Sequence, residues 1–421
     1  MKILRCLVVL LLVLCFSSCS KKSDETVVEF WTLQLSPSFN DYFHSVIREY
    51  ERNHPGIKIR WIDIPYDSAI QKLMSSVAAG SPPDVVNLSA DFLAKFAGMG
   101  ALADIYKIIP PDSLKNIYLP NALNNCVFNG RLTAFPWYLN TYVVIYNRNL
   151  FAKAGFGDKD VPATYDQLLK FARTYKDRTG KYAFFWNIGK ESYLPMMLGS
   201  EGISMLDPSL GHAAFNSAEG VRLIEQWVDL YRSGYIEKES IIKPASTTIE
   251  AYQSGQAAFV FTGPVFLRSV RENAPAVYAN TGIAPAIVGR TGRHELAEMV
   301  LTIMNTSEHK KEAADFALFV TNKQNQLNFC KLATIYPSVS EALKDKYFTH
   351  DEGTLESKAR IIGASELPGA VPLRNHLLHP QFDMLRDSFD EAVQNACLGK
   401  QSPRDALNSA ADEWNRIIQE Y

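Results

Sequence analysis

Residues 129–151, NGRLTAFPWYLNTYVVIYNRNLF, carry two β-rich runs, residues 132–135 and 142–146, on either side of the pentapeptide PWYLN. No helix fits between them. The chain is therefore expected to cross here from one domain to another by way of a strand. At 421 residues it is too long for one small core, because domains commonly run to ~100–200 residues, and two domains are expected.

Upstream of that crossing the hydrophobic period alternates. Residues 27–31 (VVEFW) form a β-rich run, and Phe39, Phe43, Val46, Ile47 and Tyr50 then recur at helical spacing. Pro55 and Gly56 break the helix, after which Ile57, Ile59 and Trp61 alternate as a strand. A second apolar helical stripe, Ile70, Leu73, Met74, Val77 and Ala78, follows Asp67 or Ser68 and ends at Gly80. PPDVVNLS supplies a third strand and residues 91–96 a third helix. The βαβαβα order favours a mostly parallel sheet with helices on both faces. Ligands of such sheets bind beyond the carboxyl ends of the strands, which singles out residues 31–34, 65–67 and 87–91.

Downstream, Thr164 and Gln167 have capping-box spacing, YAFFWN reads as a strand ending in Trp186 and Asn187, and Asn216 with Glu219 opens a helix that stops at Gly234. Ser402 and Pro403 form a cap and first-turn pair ahead of the apolar face Leu407, Ala411, Trp414 and Ile418.

The amino terminus has the grammar of an export signal: Lys2 and Arg5, a short apolar run from Cys6 to Phe16, two serines, then Cys19. The run falls short of the ~20 residues that a membrane-spanning helix needs. FSSC resembles the bacterial lipobox, with Phe16 where an aliphatic residue is usual. That resemblance implies a signal peptide at 1–18, lipidation of Cys19 with acyl chains such as palmitate, and a polar tether over 19–26. An ordinary secretory signal is the alternative.

Removal of Lys2 and Arg5 from the 43 basic residues leaves 41 against 45 acidic ones, a balance that gives no support to nucleic-acid binding. Cys126, Cys330 and Cys397 are scattered and are expected as buried free thiols. Gly98, Gly100 and Ala103 satisfy G-x-G-x-x-A but follow a helix rather than a strand, so a dinucleotide site is not expected. His376 and His379 lack a partnering carboxylate motif, and there is no G-x-S-x-G, Walker or HExxH signature. Neither a metal nor a cofactor is expected.

The segments FWTL, FHSVIREYERNHPGIKIRW, AAGSPPDVVNL, GALADI, GRLTAFPWYLNTYVVIYNRNLFAKAG and YQSGQAAFVFTGP occur in an order and spacing that resembles the extracellular solute-binding proteins of ATP-binding-cassette (ABC) importers. The likeness is to the cluster related to maltose-binding protein and covers most of the chain. It implies an α/β periplasmic-binding-protein fold of two lobes, each a mostly parallel sheet flanked by helices, with the ligand cleft between them. The first lobe is expected over 27–139 plus 281–333 and the second over 140–280 plus 334–421, with crossovers near 138–141, 280–284 and 331–337.

The resemblance further implies capture of a small-molecule solute by lobe closure and its delivery to the membrane permease of an ABC importer, with no covalent step. The protein would be a monomer, exported and lipid-anchored at the periplasmic or extracellular face of the cell envelope. Around the expected cleft, Trp31, Trp137, Tyr138, Trp186 and Tyr193 offer aromatic faces, and Gln34, Asn87, Asp91, Asn140, Asn187 and Glu191 offer hydrogen-bonding groups. That mixture favours an uncharged sugar or oligosaccharide. Gly263 lies in GPV, which departs from the family's frequent Gly-Pro-Trp, and Arg374 lies in ASELPGAVPLRN, similar to a loop that closes over the solute in some relatives.

Core packing is the competing reading for each aromatic residue, a helix cap for Asp91, and a solvated surface position for Arg374. Two functional alternatives stay open: an exported carbohydrate-active enzyme with Asp91 and Glu191 as paired carboxylates, and a sensory sugar-binding protein with the same cleft.

Overall fold

The computed structural model describes residues 25–190, 192–242 and 247–420. The expected export signal, Cys19, most of the expected tether and Glu191 lie outside the described residues. None of the described helices is long and apolar enough to cross a membrane.

Two sheets organise the chain. The larger has six strands in the order Tyr336–Pro337, Phe135–Asn140, Ala297–Ile303, Val85–Ser89, Thr26–Leu33 and Ile57–Ile64. The smaller has three, Phe259–Thr262, Val143–Asn147 and Thr281–Ala284. Each sheet has its own core: one contains Phe30, Leu88, Trp137, Val300 and Phe316, the other Tyr146, Trp186, Trp227, Phe261 and Trp414.

The βαβ start is as the hydrophobic periods indicate. Thr26–Leu33 pairs parallel with Ile57–Ile64 and with Val85–Ser89, and the helices Asn40–Asn53 and Tyr66–Ala78 connect them. Beyond those three strands the expectation of a mostly parallel sheet is corrected. Ala297–Ile303 runs antiparallel to both its neighbours, Tyr336–Pro337 is antiparallel to Phe135–Asn140, and both pairings of the smaller sheet are antiparallel. For Ala297–Ile303 the reason is the route of the chain: this strand brings it back from the smaller sheet, enters from the far end and runs against Phe135–Asn140, the strand that left.

The first crossing falls at residues 141–142, between Asn140 and Val143, close to where the sequence places it. The other two differ from expectation. Thr281–Ala284 is still paired in the smaller sheet and Ile287 still packs in its core, so the second crossing spans residues 288–295, ahead of Leu296 in the larger core. Tyr336–Pro337 pairs with Leu139 and Tyr138, and Phe348, Leu367 and Ala370 remain in the larger core; Leu373 is the next buried residue of the smaller one. The third crossing therefore lies at residues 371–372, where Val371 bridges to Glu295 of the second.

YAFFWN is a second correction. It forms no ladder; Ala183 accepts hydrogen bonds from the Ala258 and Phe259 amides, and Phe184 and Trp186 fill the core instead. The caps are better matched: Thr164 accepts from the Gln167 amide, Gln167 accepts from the Ala163 amide, and Ser402 accepts from the Asp405 amide. The second-unit helix Ala218–Arg232 is capped by Ser217, one residue after the expected Asn216. Cys126, Cys330 and Cys397 are free and buried.

Candidate functional site

A groove runs along the carboxyl ends of the three parallel strands and on past the first crossing. Its widest chamber, about 690 Å³, is lined by Gln34 and Ser36 after the first strand, Asn40 and His44 on the following helix, and Trp61, Asp63, Pro65 and Tyr66 at the end of the second. Tyr66 also lines the next chamber, about 240 Å³, with Ser89, Asp91, Tyr138, Asn140, Met299 and Arg374. Asn140 and Ala297 are shared in turn with a third chamber, about 270 Å³, walled by Tyr142, Tyr193, Ile249, Thr262, Gly263 and Phe266. The shared residues make the three chambers one line, and the volumes are those of small-molecule sites.

Alternation on one strand decides what faces this groove. On Phe135–Asn140, Tyr138 and Asn140 are half-buried and line it, whereas Trp137 and Leu139 are fully buried on the opposite face. Asn140 fits because residue 263 is glycine: a Cβ there would stand 2.6 Å from the Asn140 Nδ2. Asp91 is not the helix cap; Ser89 caps that turn, leaving the Asp91 carboxylate to face Arg374 at 3.6 Å.

Arg374 is the centre of the charge distribution. Its Nε donates to Glu295 Oε1 at 2.9 Å, and the other oxygen of Glu295 accepts from the Leu373 amide at 2.9 Å. Burial alone would lower the guanidinium's pKa, but the carboxylates of Glu295 and Asp91 outweigh it and hold Arg374 firmly protonated. Burial pushes Glu295 up, and Arg374 pulls it back. Tyr138 and Tyr142 are raised chiefly by burial, so both phenols stay protonated and able to donate. Tyr142 stacks on Phe261 with ring centres 5.0 Å apart.

Of the candidate residues, Gln34, Asp91, Tyr138, Asn140, Tyr193, Gly263 and Arg374 come together in the groove. Five others are corrected to core positions. Trp31 donates its indole N–H to Glu29 at 2.7 Å, and Trp137 stacks on Phe329 at 5.2 Å. Trp186 is sandwiched with Trp227 and Phe261. Asn87 is fully buried and donates to the Val300 carbonyl, and Asn187 donates to the Lys190 carbonyl. Each sits where the strand or loop turns its side chain inward.

Sequence reasoning missed Trp61 and Phe266 and reached Tyr66 only as part of the singled-out stretch 65–67. Tyr66 and Phe266 are exposed aromatic rings, 45% and 41% accessible; Tyr66 stands where the widest chamber meets the next, and Phe266 walls the third. The signal for Phe266 was in the sequence: the aromatic absent from GPV is the next residue along. Among the described residues, no group of three or more His, Cys, Asp or Glu side chains could hold a metal ion.

The pattern of the bacterial extracellular solute-binding protein family matches residues 36–327. A solved structure of an oligosaccharide periplasmic-binding protein candidate from Synechococcus sp. MITs9220 is 33% identical, covers 93% of this chain and 99% of its own, and superposes with a TM-score of 0.85. The galactooligosaccharide-binding protein of Bacillus subtilis (strain 168) is 21% identical over 87% of this chain and 84% of its own. A sn-glycerol-3-phosphate-binding periplasmic protein of Pectobacterium atrosepticum is 20% identical over 94% and 92%.

Proposed function

The chain belongs to the bacterial extracellular solute-binding proteins, and from that premise we propose that it captures a neutral sugar or oligosaccharide in the groove and hands it to an ABC importer. Relatives of similar overall likeness take either a galactooligosaccharide or a glycerol phosphate, so kinship alone does not choose between neutral and anionic solutes. The observation that carries the choice is the charge of the groove. Arg374 is the only guanidinium or ammonium group among the described residues lining the three chambers, and Asp91 and Glu295 already neutralise it. A phosphate would find no unmatched cation there. Ring faces at Tyr66 and Phe266, with the Asn140 amide between them and the amides of Gln34 and Asn40 in the chamber on the other side of Tyr66, suit the alternating C–H and hydroxyl surfaces of a sugar.

Closure of the two core units about the segments 141–142, 288–295 and 371–372 would supply the signal an importer reads, because a ligand favours the closed form only through contacts added there. The solute is released unchanged; Asp91, one of the two carboxylates an enzymatic reading needs, is already committed to Arg374. Retention at the envelope by a lipid on Cys19 completes the proposal, and the mass of the N-terminal peptide checks it. Isothermal titration against neutral sugars and glycerol phosphates tests the solute. We expect a sugar to bind and Phe266→Ala to weaken it roughly tenfold, the loss of one stacking platform, without lowering the melting temperature. Binding of glycerol phosphate alone would overturn the neutral-solute proposal.

A further inference from the structure

We infer that Asp63 is a positioning residue for the solute site, acting on affinity through the loop that follows the first strand; the inference rests on the function proposed above. Asp63 stands near the end of the second strand, and its Oδ1 accepts from the Thr32 hydroxyl at 2.6 Å and from the Leu35 amide at 3.0 Å. Its Oδ2 accepts from the Ser36 amide at 3.0 Å. The Trp61 indole N–H donates to the same Thr32 hydroxyl at 2.8 Å, so Trp61, Thr32 and Asp63 form one chain of hydrogen bonds across the two strand ends.

The loop needs that support. Gln34 has a φ of 53°, in the left-handed region that residues with a Cβ seldom occupy. A backbone turned in this way directs the two amides that follow toward a common acceptor, and the Asp63 carboxylate is that acceptor. Charge-assisted bonds are the strong ones, and here a single carboxylate takes three donors, which fixes Gln34 and Ser36 at the wall of the widest chamber. The Gln34 amide is held by the Ile64 carbonyl at 2.9 Å, and among the described residues lining that chamber Asp63 is the only carboxylate, so it alone takes the Leu35 and Ser36 amides.

Asp63→Asn is the informative variant: it keeps shape but turns one acceptor oxygen into a donor facing a donor. Hydrogen-exchange mass spectrometry on peptides covering residues 33–37, without solute, reads the loop directly. Exchange at Leu35 and Ser36 is expected to quicken by roughly tenfold or more. Titration with a sugar that the wild type binds is expected to show affinity weakened by about tenfold or more, with Asp63→Glu, which keeps the carboxylate, recovering most of it. If Asp63→Asn does not melt cooperatively, Thr32→Val, which removes one partner of the same carboxylate, replaces it with the same expected direction.

Unchanged exchange overturns the inference, whatever the affinity does. Faster exchange with affinity within about twofold of wild type also overturns it. A wild type that binds no sugar counts against the proposed function, and the exchange comparison still decides whether Asp63 holds the loop.

Discussion

Glu298 is a carboxyl group kept out of water beside the groove. It is 5% exposed, and its side chain meets the Asn125 amide, which donates at 2.9 Å, and the Cys126 thiol at 3.9 Å. Burial pushes its pKa up to about 8, against an ordinary value of 4.5, with Asn125 and Cys126 pulling the other way. The native chain therefore holds this proton more tightly than the unfolded chain. Glu298 contributes its full stability below pH 4.5 and loses it as the pH rises toward about 8. Glu366, raised to about 7 by burial, adds to the same slope. Glu298→Gln cannot ionise and still accepts from Asn125. We expect denaturant melts of the variant and the wild type to agree near pH 4.5 and the variant to be the more stable at pH 8, by at most ~1.4 kcal/mol for each pH unit crossed between the two. At this scale the sequence was half legible. It pointed to the polar groups at strand ends, and Gln34, Asp91 and Asn140 are there. It could not choose between Trp137 and Tyr138, because period-two alternation says that adjacent residues part company and not which one faces in. Asp63 was invisible because its importance lies in a loop 27–28 residues away in sequence.

The elements were legible where the period was long, as in the helix Asn40–Asn53, or the caps were explicit, as in Tyr165–Thr179 and Pro403–Glu420. The crossings were harder. Tyr336–Pro337 is a two-residue strand, too short to announce its sheet, and the third passage hides behind the helix Leu355–Glu366. That helix packs against the smaller sheet through Ala359, among Val143, Ile145 and Val260, and then leads back into the larger core at Leu367. Gly363 is the point of closest approach: a Cβ there would lie 2.1 Å from the Tyr336 hydroxyl and 2.6 Å from the Thr141 hydroxyl of the first crossing. Alanine would gain helix propensity in an isolated helix, but here it must force this helix away from Tyr336 and the first crossing. Gly363→Ala is expected to destabilise by about 1–3 kcal/mol, the usual range for overpacking, as measured by urea denaturation. A stabilised variant would mean that the helix moves away from the first crossing freely.

Across the whole molecule, the two units meet directly at one side of the groove. The Lys95 ammonium pairs with Asp383, the Phe92 and Phe382 rings lie 5.6 Å apart, and Arg374 faces Asp91 at 3.6 Å. These contacts need no solute, so they bias the free protein toward approach of the lobes, and a solute has correspondingly less to supply. The bias is small in its polar part: Lys95 and Asp383 are 20% and 36% exposed, and ion pairs near a surface contribute ~0–1 kcal/mol. It is also screened, since the Debye length falls from ~10 Å at 0.1 M salt to ~3 Å at 1 M. Lys95→Ala should therefore widen the interlobe distance of the free protein at low salt, read by spin labels placed on one exposed position of each unit. High salt should widen the wild type and leave the variant nearly unchanged. Solute affinity should fall by no more than about fivefold, because the variant removes a bias and no solute contact. If Lys95→Ala leaves the distances unmoved at low salt, the ring contact between Phe92 and Phe382 carries the approach, and Phe382→Ala should open the lobes at any ionic strength.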